Sequence, residues 1–87
     1  MAACQGIREQ FHQPKITNLG DETIEVYVET GGLVTKLATV PAATTIGLSG
    51  FNNICTHDPM VAKTLDGDAI ARRSEPICPD QFWTIEP

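Results

Sequence analysis

Cys55-Thr56-His57-Asp58 is the densest run of chemically able side chains in the chain. With Cys4, His12 and Cys78 it brings the thiol and imidazole groups to five, the kinds that hold Zn²⁺. Structural zinc sites present ligands in closely spaced pairs, and here only Cys55 and His57 are close. The spacing therefore predicts no metal site. A thiol nucleophile at Cys55 or Cys78 with His57 as its base lacks a nucleophile elbow and a helix N-terminus to lower the thiol pKa. Asp66-Gly67-Asp68 begins like a calcium loop, but Ala69-Ile70-Ala71 adds no side-chain oxygen and no bidentate Glu follows. The expectation is no enzyme, no cofactor and no small-molecule substrate.

The cysteines offer redox chemistry instead. Cys4, Cys55 and Cys78 permit three alternative single disulfides, and an odd count leaves one thiol over in a monomer. A long-loop bridge from Cys4 to Cys55 or to Cys78 would stabilise a chain this small by about 2–4 kcal/mol.

Recognition chemistry is the other candidate. In Thr23-Ile24-Glu25-Val26-Tyr27-Val28-Glu29-Thr30 the apolar residues alternate with polar ones. Glu25, Tyr27 and Glu29 thus share an outward face near Asp21 and Glu22, an acidic surface suited to a basic partner. Phe82-Trp83 carries two of the chain's five aromatics. With Phe82 placed in the core, period two sends Trp83 outward as an interface residue. At the other end Cys4, Ile7 and Phe11 form one apolar stripe on a helix, a docking arm over residues 1–14 that Pro14 ends.

The elements that must position these residues are short strands. From Lys15 the hydrophobic period is two, and the segments are Lys15–Asn18, Thr23–Thr30, Leu33–Val40, Thr44–Ser49, Met60–Leu65, Asp68–Arg73 and Gln81–Glu86. Leu19-Gly20-Asp21 is expected to turn the first two into a hairpin. Gly31-Gly32 makes a second turn, and Asp66-Gly67 a two-residue type I′ turn. Six to seven such strands predict an all-β antiparallel sandwich or barrel over residues 15–87, with a possible N-terminal helix or arm. Its core is expected from Ile16, Ile24, Val26, Val28, Leu37, Val40, Ile46, Leu48, Val61, Leu65, Ile70, Phe82 and Ile85.

Composition bounds the function. The 87 residues are 41 % hydrophobic and 20 % charged, enough apolar surface for one domain. Eleven acidic against six basic side chains give −5, and the basic residues are scattered, which excludes a polybasic nucleic-acid module. No apolar run approaches the roughly 20 residues of a membrane span. A charged-then-apolar leader is also lacking, so a virion or cytoplasmic setting is expected, with secretion of a mature domain as the alternative.

Two functions follow. The first is a non-enzymatic structural or interaction subunit of a larger assembly, such as a phage or viral particle, binding a protein partner or further copies of itself. The second is a small secreted module. In size and strand rhythm the chain is similar to compact six-stranded fungal effectors pinned by one disulfide, which implies an effector or toxin-like protein binding a host protein.

Overall fold

A computed structural model describes residues 12–87 and contains seven strands. They are β1 (Lys15–Asn18), β2 (Ile24–Thr30), β3 (Leu33–Val40), β4 (Thr44–Gly47), β5 (Met60–Thr64), β6 (Ala69–Arg73) and β7 (Phe82–Ile85). They form two sheets, β4-β1-β7 and β3-β2-β5-β6, with the core between them. This is the all-β sandwich that the alternation predicts. Of the arm expected over residues 1–14, Cys4, Ile7 and Phe11 lie outside the described residues. His12 to Pro14 form no regular structure.

β1 and β2 do not form a hairpin. β1 pairs antiparallel with β4 and parallel with β7, so the chain changes sheets after Asn18. Asn18 makes that crossing possible. Its side chain is fully buried, and its amide donates to the carbonyls of Glu22 (2.8 Å), Val40 (3.1 Å) and Pro41 (3.2 Å). Its own Oδ1 accepts from the Gly20 N–H at 2.9 Å. One buried side chain thus satisfies backbone groups of the β1–β2 connection and of the end of β3.

The turns are set by glycine. Gly31 and Gly32 have φ of 56° and 89°, the two left-handed residues of a type I′ turn, and β2 runs straight into β3. Asp66-Gly67 differs from the expected type I′ turn. Only Gly67 is left-handed (φ 96°), the Gly67 N–H reaches the Thr64 carbonyl, and the Thr64 N–H reaches the Asp68 carbonyl, both at 2.9 Å. This is a three-residue loop, a type I turn with a glycine bulge.

The inner faces supply Ile16, Trp83 and Ile85 from the three-stranded sheet, and Ile24, Val26, Val40, Met60 and Ala62 from the four-stranded one. Leu48 and Ile77 close the ends from loops. Val28, Leu37, Ile46 and Ile70 are only half-buried at the margins. Leu65 and Phe82, expected in the core, are 65 % and 54 % exposed. Leu65 sits in the β5–β6 turn, beyond the reach of the facing sheet.

Candidate interaction surface

The outward face of β2 does carry Glu25, Tyr27 and Glu29, but neighbouring strands neutralise it. Lys36 on β3 lies 3.2 Å from Glu25 Oε2, while the Tyr27 hydroxyl donates to Glu25 Oε1 at 2.9 Å. Lys63 on β5 stands over the Tyr27 ring, 5.1 Å from its centre. Arg72 on β6 meets Glu29 at 3.5 Å. On β2 itself two carboxylates thus face three cations, so Glu25 and Glu29 are compensated, while Asp21 and Glu22 lie in the bend before the strand. Cross-strand register causes this, because Lys36 and Val61 flank Tyr27 while Lys63 is opposite Glu25. Val61 is on this outer side yet almost fully buried, between its register partners Tyr27 and Arg72. Long polar side chains roof it. The hydrogen bond from Tyr27 and the Lys36 ammonium hold the Glu25 carboxyl below its ordinary value, and the same bond pushes the Tyr27 phenol up.

The distal half of β3 is different. Leu33 through Lys36 are all exposed, Leu33 by 70 % and Val34 by 53 %. β5 reaches only as far as Val28 on β2, with one more bond from the Glu29 N–H to the Pro59 carbonyl. The hairpin tip therefore overhangs the sandwich. The other edge strands are four residues (β4 and β7) or five (β6) long, whereas β3 has eight. Short edges are a usual protection against unwanted pairing, and β3 lacks it. Its one charge, Lys36, is drawn back over Glu25. Sequence reasoning had not singled out Leu33 and Val34. The available signal was two consecutive large apolar residues directly after a Gly-Gly turn, where one of them must face outward.

Trp83 is not an outward residue. It is 7 % exposed and lies beside Ile16, while Phe82 lies beside Lys15 on the outer face. The parallel register with β1 decides this, since Ile16 and Asn18 of β1 point inward. Phe82 and Ile85 are three apart and cannot share a face, whereas Trp83 and Ile85 can. On the same outer face the Thr17 and Thr45 hydroxyls share a 2.7 Å hydrogen bond.

Cys55 and Cys78 are bonded to each other, across 23 residues of chain. Of the three pairings open to the sequence this is the one made, and Cys4 lies outside the described residues. The bond leaves neither sulfur free to attack a substrate or bind a metal beside His57. Among the described residues no three His, Cys, Asp or Glu side chains are grouped to hold a metal ion. Next to the bridge, the Thr56 N–H donates to the Ile77 carbonyl and the Thr56 hydroxyl accepts from the Ile77 N–H, each at 2.9 Å. That fixes the loop that carries Ile77 into the core.

At the same end His12 Nδ1 lies 2.9 Å from Asp80, and Lys15 lies 3.9 Å from the same carboxylate. His12 also exchanges backbone and side-chain bonds with Asn53. These contacts tie the start of the described chain to two loops. An open depression lies among Glu22, Thr23, Thr64, Leu65 and Asp66, at the far end of β2 from the hairpin tip. No protein-family model, curated protein or solved structure matches this chain.

Proposed function

We propose that this protein is a non-enzymatic interaction module that works by associating with other polypeptide, as a subunit of an assembly. The observation that carries the reading is the long, overhanging edge of β3, with Leu33 and Val34 exposed beside backbone that is unpaired among the described residues. A row of free N–H and C=O groups flanked by apolar side chains is the chemistry that recognises another strand. The neutralised outer face favours this edge over electrostatic capture of a basic partner by Glu25 and Glu29. Sedimentation of the purified chain over a concentration series, alone and with extract of its source, tests the proposal. Multimers, or a stable complex with protein, are expected. A monodisperse monomer that binds nothing contradicts it.

The Cys55–Cys78 bond favours a second setting for the same activity, a secreted module binding a host protein, because disulfides persist in oxidising compartments. Chain taken directly from its source under alkylating conditions should then be lighter by two hydrogens than the reduced chain. Thiols found fully reduced would point to a particle or subunit assembled inside the cell.

A further inference from the structure

The hydrogen-bond phase of β3 specifies how its edge can pair. Thr30 and Leu33 flank the two-residue turn and exchange ladder bonds with each other, so Leu33 and Thr35 point their backbone groups at β2. Glu29, opposite Val34, sends its N–H the other way, to Pro59. Val34 and Lys36 therefore aim their N–H and C=O groups outward. Beyond Lys36 the register shifts by one residue at Leu37, which limits the straight pairing edge to Leu33–Lys36 and the residue after it.

An incoming antiparallel strand must present its own outward-facing residues in the same short phase, and β3 of a second copy does so. Three two-fold arrangements are available. An axis at Lys36 sets lysine against lysine, which is destabilising. An axis at Val34 sets Val34 against itself and runs the glycine turn off the end of the ladder. An axis at Thr35 sets Val34 opposite Lys36 of the second copy and Leu33 opposite its Leu37. About four backbone hydrogen bonds then form with no like charges opposed. Leu33 thereby gains a cover that the described residues do not give it.

Resting on the reading of this chain as a protein-binding module, we infer that it pairs with a second copy of itself through antiparallel β3–β3 contact centred on Thr35. The two four-stranded sheets become one continuous sheet across the interface. The contact is small, so the dimer is concentration-dependent.

Directly opposed residues of a non-hydrogen-bonded antiparallel pair have Cα atoms about 4.5 Å apart, within disulfide range. Thr35→Cys, placed in a Cys4→Ser background, should therefore cross-link to a dimer of doubled mass that reductant reverses. Leu65→Cys, also exposed but in the β5–β6 turn, is the control. The Thr35 variant should cross-link at least about tenfold faster than the control. Adding Val34→Pro, which removes an outward N–H and leaves the β2 ladder intact, should abolish that advantage. Buried-tryptophan emission from Trp83 verifies that each variant is folded. Equal cross-linking of the two cysteine variants, or no effect of Val34→Pro, overturns the inference. If the unmodified chain is nevertheless multimeric, or binds another protein at β3, the dimer is wrong and the interaction reading stands. If it is monomeric and binds nothing, both fall.

Discussion

Glu25 ties two strands together, since it sits on β2, where it accepts from Tyr27, and pairs with Lys36 on β3. The Tyr27 hydrogen bond, then Lys36, hold its carboxyl below the ordinary 4.5. A carboxylate lowered by folding stabilises the folded chain above its ordinary value and stops doing so as pH falls through the folded one. Stability should therefore drop on acidification below about pH 4.5. Glu25→Gln should remove that component, read as urea midpoints at neutral and acid pH. An unchanged acid dependence would show that the bonds contribute nothing. The inner and outer faces of β7 give a second residue-scale test. Trp83→Ala should cost about 3–5 kcal/mol, and Phe82→Ala less than about 0.5, in the same unfolding assay. The pair was half legible in the sequence. Period two requires Phe82 and Trp83 to point apart, but which one is inside depends on a register with β1, 67 positions away along the chain (Ile16 beside Trp83). A one-residue slip exchanges the faces, and nothing local prevents it.

Among the elements, the strands themselves were the most legible part, because alternation is a local property of each segment. Pairing was less so. Lys15–Asn18 reads as the first arm of a hairpin with β2, yet the buried Asn18 amide satisfies the turn and sends the chain to the other sheet. Asp66-Gly67 reads as a two-residue turn, yet Asp66 keeps an ordinary φ and Gly67 alone takes the left-handed one. The loops hold the core residue that alternation could not find, Ile77, which is anchored by Thr56 and the adjacent Cys55–Cys78 bond. A bridge that closes a 23-residue separation should contribute about 3 kcal/mol by constraining the unfolded chain. Reduction, or replacement of both cysteines by serine, should lower the free energy of unfolding by that amount while leaving the strand content intact. A loss of less than about 1 kcal/mol would mean that the loops are held without it.

For the whole molecule, acidity and interaction separate. The net charge of −5 is not gathered on β2, where basic neighbours outnumber the acids. The proposed recognition rests instead on geometry, on one long edge among three short ones, with its apolar tip outside the sandwich. That surface was hard to read in the sequence because exposure of Leu33 depends on where β5 and the opposite sheet stop, and both limits are set by distant residues. The most direct test is amide hydrogen exchange along β3 over a range of chain concentrations. Leu33 and Thr35, bonded to β2, should be protected throughout. The Val34 and Lys36 amides should be open in dilute protein and become protected as concentration rises. Val34 and Lys36 amides that exchange freely at every concentration would contradict association through this edge.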